Sequence, residues 1–355
     1  MKILITGACG FVGSALAAAL LERSEGLSIH GIDNLMRPGS ETNRQRLRQL
    51  GVAFVHGDIR CPSDVEALPD ADWVIDAAAN PNVLAGVAGG GTGRQLLEHN
   101  LGSLIHVLEY CRRCRAGLTI LSSSRVYSIA ALAALPLRDT GDAFELDETR
   151  PLPEGVSGAG VTTEFSTEAP VSLYGSTKLA AEIVALEYGA AYDFPVWVNR
   201  CGVIAGAGQF GTPDQGIFAF WVNAHLRRRP LRYIGFDGMG KQVRDALNPA
   251  DLAVLVDLQM RAGTRGGRRV YTAGGGPANA MSLRQLNAWC GSRFGKHEPS
   301  SDLRPRPYDI PWIVMDNADA SAAFGWRPQV SLEETLSRIA AHAEQHPDWL
   351  ERSGL

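Results

Sequence analysis

A tyrosine and a lysine four residues apart form the first pair in this sequence that could do chemistry together. They are Tyr174 and Lys178 in "SLYGSTKLAAE" (172–182). On a helix, residues at this spacing lie on one face, one turn apart. A free phenol loses its proton only near about pH 10, but a neighbouring ammonium group stabilises the phenolate. Such a tyrosine could take the proton of a hydroxyl group while a hydride leaves the same carbon.

A run of serines could hold the oxygen on which that tyrosine acts. Ser122 to Ser124 stand in "LSSSRVYS" (121–128), directly after the apolar run 117–121. Ligands of open α/β sheets bind at the carboxyl ends of the strands, where these hydroxyl groups would emerge. A Tyr-x-x-x-Lys pair alone is most often ordinary helix surface, so the interpretation needs a further motif.

Three glycines near the start of the chain supply that motif. Gly7, Gly10 and Gly13 lie between a short apolar run and a helical pattern in "MKILITGACGFVGS" (1–14). The first strand-to-helix turn of an open α/β sheet is the natural place for a dinucleotide, because the helix N-terminus favours its pyrophosphate. Asp33 ends the second apolar run, and a carboxylate there can bind a ribose diol.

The glycine turn could also be structural, with no ligand, and the cofactor could be either nicotinamide dinucleotide. Asp33 favours NAD because its carboxylate would repel a 2′-phosphate, whereas the nearby Arg37 would suit NADP. Asp58 in "HGDIR" follows the third predicted strand, where an adenine ring would lie. The glycine turn, the serine strand end and the Tyr–Lys pair, in this order, predict an active site that uses NAD as hydride acceptor.

These motifs require a regular succession of elements to position them. Predicted strands cover 2–6, 28–33, 52–55, 72–76, 117–121 and 195–199. Predicted helices cover 11–24, 40–50, 63–68, 93–115, 175–193 and 214–228. This alternation predicts an α/β fold, a Rossmann-type doubly wound parallel sheet with helices on both faces.

The pattern becomes less regular after about residue 200, which predicts a second part of the chain. We expect residues 1–200 to form the NAD-binding domain, joined by a strand and helix at about 242–262 that return to the large sheet. Residues 201–241 and 263–355 are expected to form a smaller mixed α/β substrate lobe. The polar stretch 137–172 is expected to be a long surface excursion.

Composition limits the classes of partner. The chain has 355 residues, of which 45% are hydrophobic and 20% charged, and a net charge of −4. This charge gives no reason to expect nucleic acid or an anionic membrane as partner. Apolar runs fall short of the ~18 residues of a membrane span, so we expect a cytoplasmic protein. The six cysteines are scattered, and we expect neither a disulfide framework nor a metal site.

Taken together, these motifs resemble a known family. The chain is similar over almost its whole length to extended short-chain dehydrogenases/reductases, in the NAD-dependent nucleotide-sugar epimerase/dehydratase group. The segments that carry the resemblance are "TGACGFVGS", "DNL", "HGDIR", "SSSRVYS", "YGSTK", "GKQVRDALNPADLA", "YTAGGG" and "FGWRP".

The resemblance implies roles for particular residues. Ser123, four places before Tyr127, would be the catalytic serine, with Tyr174 as base and Lys178 on the nicotinamide ribose. The other residues implied for the cofactor site are Gly7, Gly10, Phe11, Val12, Gly13, Asp33, Asn34, Asp58, Ile59, Ala77, Ala78 and Asn100. Those implied for the nucleotide-sugar substrate are Ser124, Arg125, Asn199, Gln209, Asp214, Gln215, Arg244 and Arg306. The family also implies a homodimer or homotetramer, with helices at about 93–115 and 175–193 at the dimer seam.

The residues after Ser123 bear on the type of reaction. Dehydratases of this group place an acidic residue there to move protons during loss of water, whereas here Ser124 and Arg125 follow. We therefore expect an epimerase, which oxidises the sugar transiently and returns the hydride to the opposite face. A closer resemblance, in 208–224, 240–245 and the end of the excursion, is to the CDP-tyvelose (CDP-paratose) 2-epimerases, which act on C2 of a CDP-linked dideoxyhexose.

Other functions stay open at this point. Residues 80–93 depart from the usual pattern of the family and border the expected sugar site, so another activated sugar is possible. The alternatives are a UDP-sugar 4-epimerase, a keto-sugar reductase and, as the least favoured, a non-catalytic NAD-binding regulator.

Overall fold

The computed structural model describes residues 1–87, 91–263 and 267–355. In chain order the strands are β1 (Lys2–Thr6), β2 (Ser28–Asp33), β3 (Ala53–His56), β4 (Trp73–Asp76), β5 (Gly117–Ser123), β6 (Leu137–Asp139), β7 (Phe144–Leu146), β8 (Val156–Ser157), β9 (Gly160–Val161), β10 (Val196–Cys201), β11 (Val203–Ile204), β12 (Arg232–Ile234), β13 (Val243–Leu247), β14 (Val270–Ala273), β15 (Ala280–Ser282), β16 (Ser300–Asp302) and β17 (Trp312–Ile313).

The helices are α1 (Phe11–Arg23), α2 (Thr42–Gln49), α3 (Pro62–Glu66), α4 (Gly93–Leu97), α5 (Ser103–Cys114), α6 (Ile129–Ala133), α7 (Ser172–Tyr192), α8 (Ile217–Leu226), α9 (Pro249–Ala262), α10 (Leu283–Phe294), α11 (Ala318–Phe324), α12 (Leu332–Gln345) and α13 (Trp349–Arg352). A turn of π-helix at Glu98–Gly102 joins α4 to α5. Turns of 3₁₀-helix lie at Ser124–Val126, Phe236–Gly238 and Pro277–Asn279.

The large sheet is parallel throughout and has, among the described residues, seven strands in the order β14-β10-β5-β4-β1-β2-β3. The apolar residues of β1, Ile3 to Ile5, are at most 2% exposed, since helices cover both faces of the sheet. The chain order reverses between β1 and β4, and this switch point opens a crevice at the carboxyl ends of the strands. The predicted Rossmann-type fold is confirmed.

The strand and helix at about 242–262 divide between the two parts of the molecule. Strand β13 pairs with β11, β15 and β17 in a smaller sheet, so the expectation that it returns to the large sheet is wrong. The place beside β10 is taken by β14, which the sequence did not reveal. Helix α9 does cover the large sheet, because Leu252 and Val256 share a buried cluster with Leu16 of α1. The domain division itself stays a prediction.

Two further expectations about elements need correction. The helix expected at 214–228 begins only at Ile217, because Gly216 has a φ of 65° and its backbone is left-handed. The excursion at 137–172 is not a plain loop, since it contains two antiparallel strand pairs, β6–β7 and β8–β9. Part of the unusual stretch 80–93, residues 88–90, lies outside the described residues.

The second part of the chain has a core of its own. Helices α8, α10 and α12 bury an apolar cluster that includes Phe218, Trp221, Leu286 and Ile339. This lobe faces the carboxyl ends of the large sheet, and the site lies between the two. Among the described residues, the helices are all too short or too polar to cross a membrane.

Candidate active site

A cavity of about 650 Å³ lies between the carboxyl ends of the large sheet and the smaller lobe. Its wall includes the glycine turn after β1, the ends of β2, β4 and β5, and helix α7. The lobe contributes the segments 209–218, 281–286 and 306–309. This position, at the switch point of an open parallel sheet, is where such folds bind their ligands.

The glycine turn is packed so closely that side chains cannot replace its hydrogens. Gly7 has a φ of 62°, and a Cβ atom there would lie 2.8 Å from the Cα of Ala78. A Cβ on Gly13 would lie 2.3 Å from the carbonyl oxygen of Gly7. Gly13 therefore lets α1 pack against the end of β1, and it lies behind the cavity wall that Gly7, Gly10, Phe11 and Val12 help to form.

The N-terminus of α1 is open toward the cavity. Gly10 occupies the N-cap position, and among the described side chains none accepts a hydrogen bond there. The backbone N–H groups of the first turn are therefore free to bind an anion, and the helix dipole favours negative charge. The turn fits the pyrophosphate of a dinucleotide.

Asp33 is held in place by backbone groups. Its Oδ2 accepts from the N–H of Cys9 at 2.9 Å, and its Oδ1 accepts from the N–H of Leu35 at 2.8 Å. Burial raises the pKa of Asp33 above its usual range. The carboxylate lines the cavity just past the glycine turn, where it fits a ribose diol.

The loop after β3 carries a second fixed carboxylate. Arg60 binds Asp58 through Nε and Nη2, at 3.0 and 2.6 Å, and these hydrogen bonds hold the pKa of Asp58 well below its usual range. Asn34 donates to Asp58 at 3.0 Å. Asn34, Asp58 and Ile59 line the cavity together, on the side of Asp33.

The backbone after β4 forms the opposite wall. The N–H of Ala78 donates to the hydroxyl of Thr6 at 3.2 Å, which fixes Ala77 and Ala78 beside the glycine turn. Asn100 lies outside the cavity lining. Its amide accepts from the N–H of Asn80 at 2.7 Å and donates to the carbonyl of Asn80 at 3.0 Å. Asn100 therefore shapes this wall from behind, and the structure does not place it against the cavity.

The structure brings Ser123, Tyr174 and Lys178 to one region of the cavity wall. Ser123 ends β5, and its Oγ accepts from the N–H of Arg125 at 3.1 Å. Tyr174 and Lys178 lie one turn apart on α7. The Lys178 ammonium group donates to the carbonyl of Leu121 at 3.0 Å, so the end of β5 fixes its position. A hydroxyl, a phenol and an ammonium group thus line the same cavity, at the end of β5 and on α7.

A buried network that the sequence reasoning missed holds this region together. Glu182, two turns beyond Tyr174 on α7, accepts a hydrogen bond from Ser122 and pairs with Arg200 at 2.8 Å. Both members of the ion pair are at least nine-tenths buried. The network ties α7 to β5 and β10 at the level of the site. The spacing of Glu182 from Tyr174, on the same helix face, was the available signal.

Two arginines of the lobe, Arg244 and Arg306, line the cavity, and Arg125 from the turn after β5 reaches across to the lobe. Arg244 pairs with Asp309 at 3.0 Å, and burial lowers the pKa of Arg244 to about 10. Arg306 pairs with Asp214 at 2.7 Å. Arg125 donates to the carbonyl of Tyr308 at 2.9 Å.

Two other residues implied for the substrate site are placed elsewhere. Asn199 is fully buried on β10, and its amide pairs with that of Gln259 at 2.9 and 2.8 Å. Asn199 therefore faces α9, and the substrate role does not fit this placement. Ser124 is buried outside the cavity lining. Gln209, Asp214 and Gln215 do line the cavity. Tyr308 and Asp309, which also line it, were missed because their segment carries no regular pattern.

The parallel sheet and the glycine turn define a dinucleotide-binding α/β protein whose cavity is also lined by Ser123, Tyr174 and Lys178. Residues 3–274 match the model of the NAD dependent epimerase/dehydratase family. The chain belongs to this family, and its cofactor is NAD. The residues around the glycine turn fit that cofactor.

Individual relatives include both epimerases and dehydratases. The chain is 28% identical to the CDP-paratose 2-epimerase of Salmonella typhi, over 96% of this chain and 98% of that one. It is 27% identical to a dTDP-glucose 4,6-dehydratase of Streptomyces antibioticus, over 99% of this chain and 95% of that one. Among solved structures, the UDP-glucuronic acid 4-epimerase of Bacillus cereus, in complex with UDP-glucuronic acid and NAD, has a TM-score of 0.75 and 24% identity, with 97% of this chain and 99% of that one covered. This last likeness shows the fold.

Proposed function

We propose that the chain is a nucleotide-sugar epimerase that oxidises one sugar carbon and then reduces the keto sugar from the opposite face. The observation that carries the proposal is the pair of residues after Ser123. Ser124 and Arg125 stand where elimination would need a carboxylate to move protons. An epimerase needs no such acid, because the proton and the hydride return to the same oxygen and carbon.

The carboxylates in the described part of the cavity wall support this proposal, because each already has partners. They are Asp33, Asp58, Asp214 and Asp309. Backbone N–H groups hold the first, and arginines bind the other three. A carboxylate whose oxygens accept hydrogen bonds from a guanidinium is poorly placed to take a proton from a substrate.

The proposed chemistry assigns one task to each of Ser123, Tyr174 and Lys178. NAD, held by the residues around the glycine turn, would accept the hydride and return it. Tyr174, as phenolate, takes the proton of the sugar hydroxyl and gives it back when the carbonyl is reduced. Ser123 donates a hydrogen bond to that oxygen during both the oxidation and the reduction. Lys178, fixed by the carbonyl of Leu121, stabilises the phenolate.

The proposed substrate is a sugar linked to a nucleoside diphosphate. Arg244 and Arg306 suit the diphosphate, because a guanidinium binds phosphate oxygens in a fork. Similarity to the CDP-paratose 2-epimerase over nearly the whole chain favours a CDP-linked sugar and inversion at C2. The alternative is a UDP-sugar 4-epimerase, which the similarity to UDP-glucose 4-epimerases at 23–26% identity supports.

Cofactor accounting distinguishes an epimerase from a keto-sugar reductase of the same fold. The purified enzyme is dialysed and given CDP-, UDP-, GDP- and TDP-sugars without added cofactor. An epimerase forms the epimer over many turnovers with no net change in NADH absorbance. Loss of NAD on dialysis, with stoichiometric consumption of added NADH, would instead establish a reductase. A higher kcat/KM for UDP-sugars than for CDP-sugars would favour the 4-epimerase alternative.

A non-catalytic regulator is disfavoured because Ser123, Tyr174 and Lys178 are all present and line the cavity.

We also propose a homodimer or homotetramer, because an apolar surface is exposed on α4, α5 and α7. Its residues are Leu97, Ile105, Ile183 and Tyr192, which are 44–57% exposed. Light scattering after gel filtration should give two or four times the chain mass, and Ile183→Asp should lower it. A monomeric wild type would contradict this. The cytoplasmic location stays a prediction.

A further inference from the structure

One segment of the lobe lines the cavity beside the loop that follows Asp33 at the end of β2. We call residues 209–216, between β11 and α8, the strap. Gln209, Phe210, Pro213, Asp214, Gln215 and Gly216 all line the cavity. Just before the strap, Gly206 lies against the ring of Phe11. A Cβ atom built on Gly206 would lie 3.3 Å from the Cζ of Phe11. The strap therefore meets the part of the wall that belongs to the glycine turn and the end of β2.

Arg37 fastens the strap to the NAD-binding side. It lies four residues after Asp33, and its guanidinium reaches across to two acceptors. Nη1 donates to the side-chain oxygen of Gln215 at 2.6 Å, and Nη2 donates to the carbonyl of Phe210 at 2.6 Å. Hydrogen bonds from a charged donor are stronger than neutral ones, and the fork of the guanidinium fixes both acceptors at once.

The lobe holds the strap from the other side. The ring of Phe210 stacks on Trp349 at 5.2 Å, and the indole N–H of Trp349 donates to the carbonyl of Gln209 at 2.9 Å. Arg306 pairs with Asp214. Arg37 thus joins this segment to the loop after Asp33 by hydrogen bonds, and Gly39 of the same loop packs against the ring of Phe210, 2.7 Å from a Cβ atom built on the glycine.

The same contacts bear on the choice of cofactor. An arginine close after the second strand would suit the 2′-phosphate of NADP if its guanidinium were free. Here the two Nη atoms of Arg37 are already bound to the strap. The sequence argument for NADP therefore loses its main support, and another role for Arg37 is needed.

We propose that Arg37 is a positioning residue that latches the strap over the cofactor end of the cavity and so retains NAD between turnovers. A ligand beneath a closed segment leaves only when that segment opens, so the latch acts on the dissociation rate. This inference rests on the NAD cofactor of the family and not on the epimerase reaction.

The test is the exchange of bound NAD for radiolabelled NAD in the purified holoenzyme, without substrate. Arg37→Met should speed exchange by tenfold or more, which corresponds to about 1.4 kcal/mol. Arg37→Lys, which can reach only one acceptor, should exchange NAD at a rate between those of the wild type and Arg37→Met. Gln215→Glu, which turns one hydrogen bond into an ion pair, should slow exchange relative to wild type.

Arg228→Met is the matched control for a merely structural effect. Arg228 also donates to backbone carbonyls, those of Phe294, Gly295 and Lys296, but these belong to the lobe and touch neither the strap nor Trp349. We expect it to lower the melting temperature and leave NAD exchange unchanged. Equal exchange rates in wild type and Arg37→Met, or equal acceleration in Arg228→Met, would overturn the proposal. Neither result would affect the epimerase proposal, which product analysis tests separately.

Discussion

The two sides of the cavity are built by different means. On the sheet side, Gly7, Gly13 and Asp33 are placed by backbone geometry, through close packing and N–H groups. On the lobe side, Arg244 and Arg306 are placed by ion pairs with Asp309 and Asp214. The sheet side therefore has little freedom to change, whereas the lobe side can be altered by exchanging single side chains. This difference suits a fixed cofactor and a substrate that varies between relatives.

The largest effect should come from Tyr174, the proposed base. Tyr174→Phe removes the hydroxyl that exchanges the proton, and we expect turnover to fall by roughly 10²–10⁴-fold while NAD stays bound. Steady-state assays and the absorbance of retained NAD check this. Tyr188→Phe is the matched control, because Tyr188 lies on the same helix and its hydroxyl contacts Glu109. Full activity of Tyr174→Phe would contradict the assignment of Tyr174 as the base.

Disturbing the backbone packing on the sheet side should lower both the stability of the protein and its NAD binding. Gly13→Ala places a Cβ 2.3 Å from the carbonyl oxygen of Gly7. We expect the free energy of unfolding to fall by roughly 1–3 kcal/mol and the variant to lose bound NAD. Denaturant unfolding and retained NAD measure the two effects. Gly291→Ala on α10 is the control, since a Cβ there meets open space. We expect that variant to be unchanged or slightly stabilised. Normal NAD retention by Gly13→Ala would break the contrast between the two sides.

The lobe side should respond through substrate binding alone. Arg244→Lys keeps the charge but loses the fork, and we expect a rise in KM of about tenfold, or about 1.4 kcal/mol, with NAD retained. Arg304→Lys is the control, because the exposed Arg304 pairs with Asp302 outside the cavity lining. A change in NAD retention without a change in KM would mean that the two sides are not separable in this way.

The smallest effect should appear at the seam between the two sides, as a dependence of stability on pH. Asp245 on β13 accepts from the N–H of Gly276, after β14, and from that of Met315. Burial raises the pKa of Asp245 to about 6. Between about pH 4 and about pH 6 the folded chain thus holds a proton that the unfolded chain has lost, so the free energy of unfolding falls as pH rises.

Comparison with Asp245→Asn isolates this contribution. The stability of the wild type minus that of the variant should fall by about 1 kcal/mol between about pH 5 and about pH 6. Denaturant unfolding at both pH values gives the difference. A difference that stays flat or increases with pH would contradict the assignment.

The same contrast explains how much the sequence could reveal. The glycine turn, Asp33 and the Tyr174–Lys178 pair could be found because local spacing alone sets their geometry. Asn100 and Asn199 were assigned to the site, yet one supports a loop and the other pairs with Gln259, since burial depends on packing between distant segments. The edge strand β14 and the segment of Tyr308 and Asp309 were missed for the same reason. Their partners lie tens of residues away, where periodicity carries no information.

The most direct test of the central claim is proton NMR of the reaction in deuterated water, with the nucleotide-sugar panel and no added cofactor. Oxidation followed by return of the same hydride predicts an epimer with protium, and no deuterium, at the inverted carbon. Deuterium at that carbon or its neighbour, or a stable 4-keto product, would show enolisation or loss of water and would contradict the epimerase account.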